Sequence, residues 1–291
     1  MGALKIACIG EAMVEISLGD DPAPLRFAGD TLNTAIYLRR ALGSGHRVSF
    51  VSVLGSDPVS AKMMRFIASQ GVETDRISAH PEKLPGIYAI GTDEDGERFF
   101  LYWRENSAAR TLFQDGYDIL EGFDVIYFSA ITLAILPAEI RSNFLTWLQG
   151  WKGVVAFDSN YRPRLWETSE AARRAVSRTY RRADIVMPSL DDEMALFGDG
   201  DEQAVLRRLR GFAPRHGALK RGARGPLPIV GVRNGQADFA RAKQVVDTTA
   251  AGDSFNGAYL AAILSGAPET EALAAGHAQA LKVVAAQGAI V

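Results

Sequence analysis

Residues 247–262 read DTTAAGDSFNGAYLAA, a run whose residue types and spacing suit the handling of a phosphate. From Phe255 onward the residues are small and apolar at helical spacing. Ala258, Ala262 and Ser265 fall along one side and Gly266 ends the run, which predicts a helix over Phe255–Ser265. Val245–Asp247 reads as the end of a strand. The segment between them is then a helix N-terminus, where the first backbone N–H groups lack intrahelical partners and carry the positive end of the dipole. Ala250, Ala251 and Gly252 place almost no side chain over those N–H groups, so they can form an anion hole for a phosphate. Asp253 is the odd residue there. A carboxylate beside an anion site repels the anion, unless it takes a proton from a nucleophile arriving at that point. Together these roles describe phosphoryl transfer, in which amides and a metal neutralise charge while Asp253 orients a hydroxyl and accepts its proton. With an ordinary pKa of about 4, Asp253 would act by position and late proton transfer. Spacing alone leaves equally open that Asp253 is a cap or first-turn residue.

The elements that must hold this segment alternate along the chain. Lys5–Ile9, Val48–Leu54, Asp124–Ser129, Gly153–Asp158 and Asp184–Met187 read as short buried strands. Thr31–Leu42, Pro58–Ser69, Pro137–Gln149 and Ser169–Arg182 read as helices, the first stopped by Gly43 and the second started by Pro58. The alternation predicts an α/β fold with a parallel sheet covered by helices on both faces. One stretch breaks the rhythm. Gly86–Arg104 reads as two strands turned at Asp95-Gly96, a pair that supplies the positive φ angles of a tight hairpin. With Met13–Phe27 it could form a small β-sheet outside the main body, as a lid or a dimer contact. We expect one domain over 1–291, with a β lid formed by about 12–28 and 86–106.

Composition narrows the function classes. Apolar residues are 47% of the 291, charged residues 23%, and the net charge is −2. That suits a globular protein with a sizeable core and gives no electrostatic footprint for nucleic acid or a membrane surface. The apolar runs are strand length, too short for a spanning helix. The start, MGALKIACIGEAMVEI, lacks a signal peptide's long apolar region and cleavage site. Cys8 is the sole cysteine and reads as a buried small hydrophobe, so the cytoplasm is the expected compartment. His46, His80, His216 and His277 show no zinc-ligand spacing. There is no Walker P-loop, no G-x-G-x-x-G after the first strand and no G-x-S-x-G elbow. The sequence stops at Val291 soon after a helical stretch, which raises the expectation of a further short tail.

DTTAAGDSFNGAYLAA resembles the second signature of the ribokinase-like (PfkB) carbohydrate kinases, and FAGDTLNTAIYLRRALG, Phe27–Gly43, resembles their first. The likeness runs from IGEAMVEI to QGAI. It implies a three-layer α/β/α ribokinase-like fold, with a mostly parallel central sheet and a small β-sheet lid, and an ATP-dependent sugar kinase. AGDTLNT with TTAAGDSF is most similar to the branch that phosphorylates 2-keto-3-deoxygluconate; a kinase for a neutral sugar such as fructose or ribose is the alternative. A sensor that kept the fold without the chemistry is a third reading, and Asp253 with its intact small-residue loop argues against it.

The resemblance assigns roles residue by residue. Asp253 would be the catalytic base, and Ala250, Ala251 and Gly252 the anion hole. Gly29, Asp30 and Asn33 match the substrate-contacting first signature, with Ala28-Gly29 where the family has a glycine pair. Tyr88, Tyr102 and Arg104 on the hairpin, and Arg162 in DSNYRPRLW, match substrate contacts, and an arginine fork suits a sugar acid's carboxylate. Arg164 could stand in for Arg162, and Tyr88, Tyr102 and Arg104 could instead be packing and surface residues. Asp158 and Asn160 end a strand where α/β sheets bind ligands. For ATP, Lys220, Gly222 and Gly225 in LKRGARG match a glycine-spaced loop, with plain turn glycines as the alternative. Ser189 stands where the family has an asparagine, in PSLDDE, and Asp192 or its neighbour Glu193 would organise Mg2+ through water. Asp247 and Thr249 resemble the family's monovalent-cation loop, which makes K+ a candidate ligand. Glu269–Gln287 reads as a helix walling the adenine pocket, with Gly276 and Ala278 leaving space and His277 on its surface or wall. Phe99, Phe100, Tyr102 and Trp103 make the hairpin unusually aromatic, so a homo-oligomer through the β lid is expected.

Overall fold

The computed structural model describes residues 2–19, 23, 25–92, 98–231 and 239–291. Its first half contains β1 (Lys5–Ile9), β2 (Met13–Ser17), β3 (Leu25–Ala28), α1 (Asp30–Ala41), β4 (Arg47–Gly55), α2 (Pro58–Ser69), β5 (Ile77–His80), β6 (Gly86–Thr92), β7 (Arg98–Trp103) and β8 (Val125–Ser129). Then follow α3 (Ala130–Ile135), α4 (Ala138–Gly150), β9 (Val154–Asp158), α5 (Ser169–Tyr180), β10 (Ile185–Val186), α6 (Leu190–Phe197), α7 (Glu202–Gly211), β11 (His216–Leu219), β12 (Leu227–Pro228), α8 (Ala251–Leu264) and α9 (Glu269–Val284).

Eight strands form one sheet in the order β12-β11-β10-β9-β8-β1-β4-β5. All of its pairings are parallel except β11 with β12. The strand period of two divides each strand between two cores. Ala7 and Ile9 of β1 join Phe128 and Phe157 in one, with α4, α5 and α7 over it. Ile6 and Cys8 join Phe50 and Tyr127 in the other, under α1, α2 and α8. Burial on both faces is why β1 carries no polar residue after Lys5. The result is three layers, α/β/α.

The second sheet has the order β3-β2-β6-β7. The Asp95-Gly96 turn lies outside the described residues, but the strands either side of it pair antiparallel, with Tyr88 opposite Tyr102. This places Tyr88, Phe100 and Tyr102 on one face, their rings 5.9–6.5 Å apart, and Leu101 and Trp103 on the other. Leu101 and Trp103 are exposed, at 45% and 58%.

Two readings at α8 change. Val245–Asp247 forms no strand; Val245 and Val246 are exposed and Val246 N–H donates to Val284 O. Among the described residues no strand pairs with this segment, so valine's strand preference goes unused. The helix begins at Ala251 rather than Phe255, so Asp253 lies inside its first turn.

Candidate active site

The first turn of α8 is built around a left-handed alanine. Ala250 has φ 59° and ψ 14°, a conformation that costs a non-glycine residue about 1 kcal/mol or more. Ala251 N–H closes this turn on Thr248 O at 3.2 Å, whereas among the described residues the N–H groups of Gly252 and Asp253 form no hydrogen bond. Of the Ala250–Gly252 triplet only Ala251 N–H is thus engaged, and Asp253 N–H adds a further donor beside it.

α8 lies against α1 at close range because Gly257 permits it. A Cβ at Gly257 would stand 2.7 Å from Leu38 N and 2.9 Å from Thr34 O. That approach brings the two distant sequence motifs together. Asn33 Nδ2 donates to Asp253 Oδ2 at 2.8 Å, and Thr34 Oγ1 donates to Asp253 O at 3.2 Å. Gly29 is required one residue before α1: a Cβ there would meet Glu11 O at 2.1 Å.

Asp253 is not an ordinary aspartate. Burial, then the negative charges of Asp30 and Asp158, raise its pKa to about 7, against the opposing pull of Asn33 and Lys220. Its carboxylate therefore takes up a proton much nearer neutral pH than its residue type suggests. Asp30 is held by the Ser129 hydroxyl and by Asn160 Nδ2, the latter at 2.9 Å. Asn160 adopts a positive φ of 22° and gives its N–H to Asp158 Oδ1 at 3.2 Å.

A cleft of about 1030 Å3 opens here, at the carboxyl ends of β9 and β11. It is lined by Gly29, Asp30, Asn33, Tyr88, Tyr102, Arg104, Arg162, Ser189, Asp192, Lys220, Gly222, Gly225, Ala250, Ala251, Gly252 and Asp253. Asp158, Asn160, Arg164, Thr249 and His277 line it too, whereas Glu193, Asp247, Gly276 and Ala278 do not. The Glu193 side chain is fully buried, accepting from the Tyr180 hydroxyl at 2.5 Å and from Arg208 Nη2 at 2.9 Å, so it faces the interior of the fold. Asp192, with Asp191, lines the cleft instead, and burial raises the Asp192 pKa.

The arginines have partners already. Arg104, 7% exposed, is paired with the buried Glu11, so it is not a surface residue. Arg162 Nη1 lies 3.4 Å from Asp192 Oδ1. Tyr88 is buried and its hydroxyl donates to Glu15, while Tyr102 is 52% exposed at the cleft rim. Gly222 and Gly225 have φ of 55° and 73°, and the space at Gly225 is filled by Phe239, 2.6 Å from where a Cβ would be. On α9 the cleft residues are His277, Ala280, Leu281 and Val284. Gly276 leaves no space on that side, because the Phe255 ring fills it at 2.8 Å. Asp247 accepts from Thr249 N at 2.8 Å and Gly288 N at 2.9 Å, tying the loop before α8 to the chain end.

Sequence reasoning missed three supports. Asn256, one turn after Asp253, accepts from Lys220 Nζ at 3.0 Å and donates to Asp158 Oδ2 at 2.6 Å and to the Tyr127 hydroxyl at 3.2 Å. Its i+3 spacing from Asp253 was the available signal. Tyr127 and Glu11 sit in apolar runs and gave none.

The pfkB family carbohydrate kinase profile matches residues 3–291. The chain is 41% identical over 303 residues to a 2-dehydro-3-deoxygluconokinase of Dickeya dadantii, covering 100% of this chain and 98% of that protein. It is 37% identical over 300 residues to a 2-dehydro-3-deoxygluconokinase of Escherichia coli K12, covering 99% and 97%. Among solved structures, a putative ribokinase II of E. coli in complex with ATP and Mg2+ superposes with a TM-score of 0.83 at 22% identity, covering 99% of this chain and 94% of that one.

Proposed function

The chain belongs to the pfkB family of carbohydrate kinases, and from that premise we propose that it transfers the γ-phosphoryl group of ATP to the 6-hydroxyl of 2-keto-3-deoxygluconate. One observation carries the reading: the carboxylate of Asp253, with a pKa of about 7, stands beside unpaired N–H groups at the start of α8 and is oriented by Asn33 from the other signature. The full-length relatives named for this reaction support the substrate.

In the mechanism, Asn33 holds Asp253 so that its other oxygen faces the arriving hydroxyl. Asp253 accepts the hydroxyl proton as the new P–O bond forms, and the N–H groups of Gly252 and Asp253 receive the charge on the transferring group. Tyr102, Arg104 and Arg162 bind the sugar acid, and Ser189, Gly222, Gly225 and the α9 wall bind the nucleotide. The acidic oxygens of Asp191 and Asp192 in the cleft suit a hard cation, and they would hold the waters of Mg2+, which when bound neutralises phosphate charge. K+ at the Asp247 loop would brace the turn ahead of α8.

The β3-β2-β6-β7 sheet acts as a lid that excludes water during transfer. Its outer face, with Leu101 and Trp103, packs against a second copy of the chain, and the enzyme works in the cytoplasm. A neutral sugar is the rival substrate, and one observation favours it: Arg104 and Arg162 already face Glu11 and Asp192. A coupled assay of ADP formation over a panel of sugars and sugar acids decides. Turnover with 2-keto-3-deoxygluconate well above that with fructose or ribose is the expected result, and preference for a neutral sugar would refute it.

A further inference from the structure

We infer that Lys220 is a catalytic residue of the transfer step, its ammonium neutralising the phosphoryl group in flight, with Asn256 as its positioning residue; this rests on the kinase reading above. Lys220 directly follows β11, and its ammonium stands over the first turn of α8. A Cβ placed on Gly252 would lie 3.7 Å from Nζ, beside the unpaired N–H groups of Gly252 and Asp253.

An ammonium has three donors. Two are engaged, with Asp158 Oδ2 at 2.7 Å and Asn256 Oδ1 at 3.0 Å. Lys220 lines the cleft, so the third is left for a ligand oxygen. Asn256 is completely buried and does not line the cleft. Its amide nitrogen donates to Asp158 and Tyr127, which fixes the amide with its oxygen toward Lys220. A lysine side chain ordinarily keeps much rotamer freedom; here it is gripped from two sides before any substrate arrives. Charge fixed in advance at the point where negative charge moves is the arrangement that favours a transition state over a ground state.

In the step, the bond from the γ-phosphorus to the β,γ-bridging oxygen breaks and its electron pair leaves on ADP. The sugar hydroxyl oxygen forms the new bond to phosphorus, and its proton passes to Asp253. Lys220 keeps all its protons throughout. The lysine also acts on the base, since its charge pulls the Asp253 pKa downward against burial and the neighbouring carboxylates.

The test compares Lys220→Met, Lys220→Arg, and Lys220→Met combined with Asp158→Asn, which removes the buried carboxylate that the single change would strand. Turnover gives kcat and KM, and calorimetry gives ADP affinity. Both methionine variants should lose about 10²–10³-fold in kcat, with the Kd of ADP within about threefold of the wild type. Lys220→Met should move the acid limb of kcat/KM to higher pH, and Lys220→Arg should restore part of kcat. A double variant within about tenfold of wild-type kcat, or a loss confined to KM with an equal weakening of ADP, would overturn the role. Wild-type turnover is read separately. A wild type that makes no ADP with any sugar ends the kinase reading and this role with it, whereas a working wild type with unimpaired variants ends only the role of Lys220.

Discussion

Asn33 Nδ2 lies 2.8 Å from Asp253 Oδ2, joining residues 220 positions apart in the chain. Neither residue reaches the other through its own element. The contact exists because α1 and α8 pack closely, and it orients the Asp253 carboxylate, the proposed base.

That packing is testable at Gly257. Gly257→Ala places a Cβ 2.7 Å from Leu38 N and from Tyr37 Cβ, mostly against backbone that cannot yield. We expect about 1–3 kcal/mol of destabilisation in denaturant melts. Because separating the helices also displaces Asn33 from Asp253, kcat of the folded fraction should fall as well. Unchanged stability and kcat would show that the helices do not need this close approach.

The pKa of Asp253 fixes the pH dependence. As a base it must be ionised, so kcat/KM should drop about tenfold per pH unit below a pH of about 7. The stability effect has the opposite sign. The folded-state pKa lies above the unfolded value of about 3.9, so between these values the native state binds more protons and stability declines as pH rises. Asp253→Asn removes that penalty. Its Tm should exceed the wild type's at pH 8, by about 2–4 °C for each kcal/mol gained, and match it near pH 4. An equal Tm at both pH values would mean that Asp253 is not perturbed.

Glu193 and Asp192 are neighbours in sequence with separate tasks. Glu193→Gln weakens a buried ion pair with Arg208 and should cost on the order of 3 kcal/mol, leaving kcat of the folded enzyme unchanged. Asp192→Asn should leave the melt alone and raise the Mg2+ concentration needed for half-maximal rate. Reversed outcomes would exchange the two assignments.

The outer face of the small sheet carries exposed Leu101 and Trp103. Leu101→Lys with Trp103→Lys should turn a dimer into a monomer in analytical ultracentrifugation. A wild type that is monomeric at micromolar concentration would remove the interface.

Much of this was legible in the residues. Strands such as Lys5–Ile9 and the helix Pro58–Ser69 announce themselves through apolar runs and a proline start, because burial on a sheet or under a helix leaves a local pattern. The small-residue loop before Asp253 was legible because its small residues stand just ahead of a helical run. What was hidden depends on distant partners. Nothing near Glu193 in the chain says that Tyr180 and Arg208 will enclose it, and nothing near Arg104 foretells Glu11. The raised pKa of Asp253 arises from burial and then from the charges of Asp30 and Asp158, surroundings that only the fold brings about. Val245–Asp247 bonds to the end of α9 instead of a strand, a distant partner that local sequence does not announce.

The most direct measurement is the rate of ADP formation by Asp253→Asn with saturating 2-keto-3-deoxygluconate and MgATP, set beside its Kd for ATP. The account requires kcat to fall about 10²–10⁴-fold with ATP binding essentially intact. A variant that turns over within tenfold of the wild type would contradict it, because the proton of the sugar hydroxyl would then have another destination.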